Sequence, residues 1–198
     1  MEPVHVVEGT AVVLDRADVD TDQIIPASRL KRVDRSGYAD DLFAGWRADP
    51  GFILNRPEAA GARVLVAGRN FGCGSSREHA VWALMDFGFR AVISEQVADI
   101  FRGNAVTAGL VPVELPPDQI RDVMDALTGD PTRAVRIDLV DQRVHVERTD
   151  IDLPLLLAAS SRAALRSGTD PVARTLRGAE RIEAYERRRP AWMPRIED

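Results

Sequence analysis

A glycine-rich segment between a predicted strand and a predicted helix constrains this chain most. The apolar run Val64–Ala67 is typical of a buried strand, and Ala80–Met85 is typical of a helix. Between them lies Gly68-Arg69-Asn70-Phe71-Gly72-Cys73-Gly74-Ser75-Ser76-Arg77-Glu78-His79. The first turn of a helix has unpaired N–H groups and partial positive charge, so it attracts anions. The segment therefore predicts a site for a small carboxylate beside a serine hydroxyl.

The surrounding pattern favours an α/β fold with parallel strand pairing. Predicted strands over 63–67, 91–94 and 110–115 alternate with predicted helices over 76–87 and 96–106. Further elements are predicted as a strand over 10–14, a helix over 118–127, a hairpin of 135–140 and 144–147, and helices over 153–166 and 178–188. We therefore expect a single domain over 1–198, with an α/β core to about residue 150 and a helical C-terminal extension over about 151–198.

Composition and charge indicate which partners and which compartment suit this chain. The 26 basic residues are outnumbered by 31 acidic residues, and the net charge of −5 does not favour binding to nucleic acid. The single cysteine, Cys73, excludes a disulfide within the chain and indicates a reducing compartment. The sequence contains neither an N-terminal signal pattern nor an apolar run near the roughly 20 residues of a membrane span. We expect a cytoplasmic protein that binds neither nucleic acid nor membrane.

The residues of the glycine-rich segment allow two interpretations each. Ser75 and Glu78 match a capping box; alternatively, the Ser75 hydroxyl is a proton-transfer base, which needs nearby positive charge. Arg77 could supply that charge and bind a carboxylate through two N–H groups, or lie on the surface. His79 could be a general acid or a helix residue bonded to nearby backbone. A serine–histidine hydrolase stays possible but lacks the expected nucleophile motif.

Three segments carry a resemblance to a known family. Gly72–Ala80 contains Gly-x-Gly-Ser-Ser-Arg-Glu-His-Ala, which closely resembles the signature of the swivelling domain of the aconitase superfamily. Asp18–Pro26 and Ile100–Asn104 resemble two further elements of that family. Over about residues 5–115 the chain is similar to the bacterial small subunits of isopropylmalate dehydratases. The resemblance implies a swivelling β/β/α domain.

The resemblance also implies a reaction. Members of this family are hydro-lyases that isomerise 2-isopropylmalate to 3-isopropylmalate through isopropylmaleate, in leucine biosynthesis. By resemblance Ser75 is the base, and Ser76 and Arg77 hold a carboxylate of the small dicarboxylate substrate. Asp22 matches an aspartate expected to position a proton-transfer network, although an Asx-turn or helix cap is the alternative. Substrate choice is expected from Leu30, which could face an isopropyl group, and from Lys31 and Arg32, which could favour a longer dicarboxylate.

The resemblance places the cofactor elsewhere. In the superfamily three cysteines hold a 4Fe–4S cluster, and thiolates are the ligands such clusters need. One cysteine cannot supply them. The resemblance therefore implies that this chain binds no metal, that the cluster belongs to a separate large subunit, and that Cys73 is a small residue in a tight turn. Two alternatives stay open: a small subunit of a related hydratase (homoaconitate, citraconate or dimethylmalate type), or a non-catalytic anion-binding module.

Overall fold

The computed structural model describes residues 1–30, 35–190 and 192–193. Within them, a sheet of seven strands has the order β4-β3-β2-β1-β5-β6-β7. The strands are β1 (Val6–Leu14), β2 (Val64–Ala67), β3 (Ala91–Ser94), β4 (Val111–Glu114), β5 (Ala134–Asp138), β6 (Arg143–Val146) and β7 (Asp152–Pro154). Strands β1 to β4 are parallel, whereas β5, β6 and β7 continue the sheet from β1 in antiparallel pairing. β1 is therefore the strand at which the parallel half and the antiparallel half of the sheet meet.

Helices connect the parallel strands and pack on them. The described helices are α1 (Thr21–Ile24), α2 (Ala44–Arg47), α3 (Glu78–Phe87), α4 (Asp99–Ala108), α5 (Pro117–Gly129), α6 (Ala159–Ser167), α7 (Pro171–Leu176) and α8 (Ala179–Arg187). Short 3-10 turns occur at Ala27–Arg29, Ala39–Asp41, Ile53–Asn55 and Pro57–Ala59. Among these helices, none combines the length and apolar character needed to cross a bilayer.

The core consists of two apolar layers, one on each face of the sheet. Every residue of β2 and β3 is buried, as expected for strands covered on both faces. Because side chains alternate along a strand, Leu65 lies in one layer and Val64 and Val66 lie in the other. The Leu65 layer includes α3 and the segment around Phe43, and the Val64 layer includes α5. The central strands are thus held rigidly beneath the loops that follow them.

Two compact units divide the chain, Met1–Gly168 and Thr169–Asp198. The first contains the sheet and α1 to α6, and the second contains α7 and α8. The single domain with an extension beginning near residue 151 stays a prediction.

Most predicted elements are confirmed, including the parallel strands β2 to β4, the β5–β6 hairpin and α8. The predicted helix over 153–166 is wrong in its first part. Asp152–Pro154 forms β7 against β6, and the helix begins only at Ala159. Pairing at the sheet edge, supported by the 2.7 Å Arg143–Asp152 ion pair, outweighs the helix preference of an Ala- and Leu-rich stretch.

Candidate functional site

Two loops leave the same edge of the sheet and bind each other. β1 and β2 are parallel neighbours, and their last residues, Leu14 and Ala67, lie side by side. The loops that follow therefore start together at the carboxyl edge of the strands. Four backbone hydrogen bonds join them, from Gly68 N to Arg16 O (3.1 Å), from Asp18 N to Arg69 O (2.9 Å), from Gly72 N to Val19 O (2.7 Å) and from Thr21 N to Cys73 O (2.9 Å). Segments more than 50 residues apart in sequence thus form one bonded unit.

The second loop depends on glycine where it crosses α4. Gly72 has a φ of +76°, and a Cβ atom there would lie 2.4 Å from Cγ of the Phe101 ring. Phe101 is itself buried and packs edge-on against Phe71, at 5.3 Å between ring centroids. Neither the left-handed backbone nor the buried ring can move without a cost in the free energy of folding. Gly72 therefore allows the loop to pack directly against Phe101 of α4.

Gly72→Ala is expected to lower the melting temperature of the chain, because overpacking of about 1–3 kcal/mol adds to left-handed backbone strain. Gly103→Ala is the matched control. Gly103 lies within α4 with open space around it, so alanine should leave stability unchanged or raise it. Thermal unfolding followed by circular dichroism measures both. Equal melting temperatures for the two variants would contradict this account of the loop.

Ser75 is an exposed residue that contacts a buried threonine. Its Oγ lies 3.1 Å from Oγ1 of Thr21, and Thr21 Oγ1 also donates to the backbone oxygen of Ser75 at 3.1 Å. Thr21 is 1 % exposed, whereas Ser75 and Ser76 are exposed. The buried threonine therefore orients the hydroxyl of an exposed serine.

The interpretation of Ser75 as a helix cap is wrong. α3 begins at Glu78, its N-cap residue is Arg77, and no side chain caps it. A capping box does occur, but at α1. There Gln23 N donates to Asp20 Oδ1 at 2.7 Å, and Asp20 N donates to Gln23 Oε1 at 2.9 Å. Asp20, and not Asp22, is thus the cap of that helix, and within residues 1–30, 35–190 and 192–193 no side chain accepts a hydrogen bond from the first-turn amides of α3.

Asp22 and Arg77 form an ion pair across the two loops. Arg77 Nη1 donates to Asp22 Oδ1 and, at 3.3 Å, to the backbone oxygen of Ile25. The Arg77 side chain is 18 % exposed and that of Asp22 is 57 % exposed. The hydrogen bond from Arg77 lowers the pKa of Asp22 below its ordinary value. Asp22 is therefore a carboxylate at neutral pH. Both of these Arg77 contacts use Nη1, and neither involves Nε or Nη2.

The predicted selectivity residues lie in the segment that follows α1. Leu30 ends the 3-10 turn Ala27–Arg29, is half-buried and packs against the Leu65 layer of the core. Its predicted contact with substrate stays a prediction. Lys31 and Arg32 lie outside the described residues. Arg29 ties the turn to buried Asp41 through a 3.5 Å ion pair.

His79 packs against aromatic rings, and Cys73 lies near two aspartates. The His79 ring packs against Trp82, at 4.5 Å between centroids, and edge-on against buried Tyr38, at 5.4 Å. Burial raises the pKa of the Cys73 thiol, and Asp20 and Asp18 raise it further. Cys73 is thus a protonated thiol at neutral pH. In the described part of the chain, no three His, Cys, Asp or Glu side chains come together in a way that could hold a metal ion.

Sequence reasoning missed Thr21 as a member of this site. It lies directly before Asp22 in the Asp18–Pro26 segment, so its position in that motif was the available signal. The bond to Ser75 spans 54 residues and could not be deduced from spacing.

The chain is similar to members of one protein family. A family model, the aconitase C-terminal domain, matches residues 1–118. The 3-isopropylmalate dehydratase small subunit of Acidothermus cellulolyticus is 54 % identical over 198 residues, covering 98 % of each chain. The corresponding small subunit of Rubrobacter xylanophilus is 49 % identical over 196 residues, covering 99 % of this chain and 100 % of the relative.

A solved structure agrees with these relatives. The 3-isopropylmalate dehydratase structure from Methanocaldococcus jannaschii is 31 % identical, with a TM-score of 0.66, covering 91 % of this chain and 99 % of that one. The expected α/β swivelling fold of the aconitase superfamily is thereby confirmed. This chain belongs to the aconitase C-terminal domain family and, within it, to the 3-isopropylmalate dehydratase small subunits. The designation of these relatives as small subunits implies a large-subunit partner.

Proposed function

We propose that this chain is the small subunit of a cytoplasmic, heteromeric hydro-lyase of leucine biosynthesis. With its large subunit it isomerises 2-isopropylmalate to 3-isopropylmalate through isopropylmaleate, and it binds neither nucleic acid nor membrane. One observation carries the proposal: an exposed serine held by a buried threonine, two residues before the arginine of an Arg–Asp pair, in a chain 54 % identical to a 3-isopropylmalate dehydratase small subunit.

Ser75 removes the proton from the substrate carbon beside a carboxylate. A free serine is a poor base, so its deprotonated form needs stabilisation by nearby positive charge and hydrogen-bond donors. The Arg77 guanidinium and the uncapped first turn of α3 provide both. Thr21 contributes a third group, because its hydroxyl lies within hydrogen-bond distance of both Ser75 oxygens. When Ser75 loses its proton, the Thr21 hydrogen can turn from the carbonyl oxygen towards the new negative charge.

Ser76 and Arg77 bind a substrate carboxylate. The Ser76 hydroxyl is exposed beside Ser75, and Arg77 has Nε and Nη2 to offer in a two-pronged contact. Asp22 holds Arg77 in place and links it to the proton-transfer network. Leu30 selects among substrates by facing the alkyl group, and Lys31 and Arg32 would favour the extra charge of a longer dicarboxylate. A hydrophobic pocket distinguishes such groups by only about 1–3 kcal/mol per methylene.

The residues of this chain do not fit an iron–sulfur cluster. It has one cysteine, and its described residues form no three-ligand group. We assign the 4Fe–4S cluster, and with it the Lewis acid that the family reaction requires, to the large subunit.

Reconstitution tests the proposal directly. The full chain is mixed with its cognate large subunit under anaerobic conditions with iron, and the absorbance of isopropylmaleate is followed. We expect turnover of 2-isopropylmalate by the mixture and none by either chain alone. Turnover only of citramalate, homocitrate or dimethylmalate would instead assign the chain to a related hydratase. A complex without activity on any of them would favour a non-catalytic anion-binding module.

Thr21→Val is expected to lower kcat about tenfold or more while leaving KM nearly unchanged. Valine keeps the shape of the side chain but cannot donate to the deprotonated serine, and a hydrogen bond to a charged group contributes about 1.5–3 kcal/mol. The acid limb of the pH–rate profile should move to higher pH, because the deprotonated serine loses a donor. Thr21→Ser should restore activity. Thr107→Val, which removes an exposed hydroxyl bonded to Gly103 O, is the control. Wild-type kcat and pH profile in Thr21→Val would contradict this role.

A further inference from the structure

Exposed apolar side chains of the first unit lie at two opposite edges of the sheet. Ile100 (56 % exposed) and Leu156 (58 %) lie at the carboxyl edge of the parallel strands. Ile100 is in the first turn of α4, which follows β3, and Leu156 bridges Glu114 at the end of β4. Val140 (48 % exposed) lies at the other edge, two residues beyond the end of β5, where Asp138 pairs with the beginning of β1. Both edges thus present isolated large apolar groups to solvent.

Only the carboxyl edge also carries the candidate site. Ile100 is next to Phe101, whose ring supports Gly72 in the Ser75 loop. Leu156 lines a groove of about 410 Å³ together with Arg69 of the same loop and Leu115 and Pro116 beyond β4. Ile100 and Leu156 therefore belong to the elements that adjoin the loop carrying Ser75.

The proposed reaction requires a second chain at this edge. A small dicarboxylate that touches both Ser75 and a group of the large subunit can span only a few ångströms, so the large subunit must approach the carboxyl edge closely. A stable interface buries about 800 Å² on each partner, which is far more than a substrate covers. The contact must therefore extend from the site onto its surroundings. Such interfaces place apolar side chains at their buried centres and charged side chains at their rims.

We propose that Ile100 and Leu156 are apolar anchors for the large subunit, which presents apolar side chains to them across the carboxyl edge. Arg69 and Glu95, which line the Leu156 groove, lie at the charged rim of the same contact. The proposal rests on the proposed function, since that function brings the second chain to this edge.

Association of the full chain with its cognate large subunit tests the proposal without iron or substrate. Ile100→Asp and Leu156→Asp should each weaken the dissociation constant, measured by calorimetry, at least about 30-fold. Val140→Asp makes the same change at the opposite edge and should stay within about threefold of wild type. Aspartate suits the first turn of a helix, so Ile100→Asp should fold even if Leu156→Asp does not.

The outcomes separate this proposal from the proposed function. Wild-type affinity in Ile100→Asp, or an equal loss in Val140→Asp, would overturn the anchor assignment while leaving wild-type turnover untouched. The isolated chain is also followed by analytical ultracentrifugation. If Ile100→Asp abolished self-association without changing affinity for the large subunit, the edge would be a contact between copies of this chain, and the proposal would fail. Absence of isopropylmalate turnover in the wild-type complex would instead count against the function.

Discussion

Complexes that contain Ser75→Ala are expected to turn over 2-isopropylmalate at least about 10³-fold more slowly than wild type. General-base catalysis contributes about 10²–10⁴-fold, and here the same hydroxyl is the only group proposed to take the proton. Alanine leaves the Ser75 backbone oxygen in place, so its bond to Thr21 and the shape of the loop should survive. The change should therefore lie in kcat, with small effects on KM.

The dissociation constant for the large subunit serves as the internal control for Ser75→Ala. It should match wild type, because the change removes one exposed hydroxyl from a loop whose backbone bonds are intact. Turnover near the wild-type rate would show that Ser75 is not the base. Loss of both turnover and association would show that the serine acts through assembly.

Arg77→Lys is expected to reduce kcat/KM at least about 100-fold. An ammonium group is a point charge with three donors and cannot reproduce the paired N–H contacts of a guanidinium to a carboxylate. Lysine would also lose one of the two contacts that Arg77 makes, to Asp22 and to the Ile25 oxygen. Steady-state kinetics of the reconstituted complex measure the effect, which should raise KM as well as lower kcat.

Arg136→Lys is the matched control for that substitution. Arg136 contacts Glu8 at 2.6 Å and Asp138 at 3.0 Å, so it is also an arginine held by carboxylates, but it lies on β5, in the antiparallel half of the sheet. The control complex should keep wild-type kcat/KM. Wild-type kinetics in Arg77→Lys would remove the carboxylate-binding assignment.

The ion pair also predicts a pH dependence. The folded protein lowers the pKa of Asp22 through the hydrogen bond from Arg77, so the pair contributes stability above the pKa of the unfolded carboxyl. This contribution is lost as the pH falls through the lowered pKa. Because both groups touch solvent, the effect on overall stability should be small, and the clearer result is in the site. In Arg77→Lys the pKa of Asp22, followed by NMR titration, should rise towards its ordinary value.

Local sequence patterns predicted the parallel half of the fold because strands buried on both faces leave continuous apolar runs. Val64–Ala67 and Ala91–Ser94 are such runs, and each is followed by a helix. The same local logic failed at Ser75 and Glu78, which satisfy the pattern of a capping box. The left-handed backbone at Gly74, with a φ of +89°, and the contact with Thr21 hold Ser75 outside α3, which therefore begins three residues later.

Long-range pairing accounts for what sequence patterns could not predict. The Asp22–Arg77 and Thr21–Ser75 contacts arise because β1 and β2 end side by side, and no local spacing records that register. β7 likewise forms because β6 offers it an open edge, although its own residues precede a helix-favouring stretch. The chemistry-bearing residues could thus be identified in the sequence, but their partners could be assigned only once the strand order was known.

The position of the substrate in an inactive complex tests directly whether Ser75 is the base and Arg77 the carboxylate-binding residue. The Ser75→Ala chain is assembled with its large subunit, crystallised anaerobically with 2-isopropylmalate, and the bound substrate is located. We expect a substrate carboxylate on Arg77, with the carbon that loses its proton about 3–3.5 Å from where the serine oxygen lies in the wild-type chain. Substrate bound in the complex away from residue 75, with no substrate carboxylate on Arg77, would contradict this assignment.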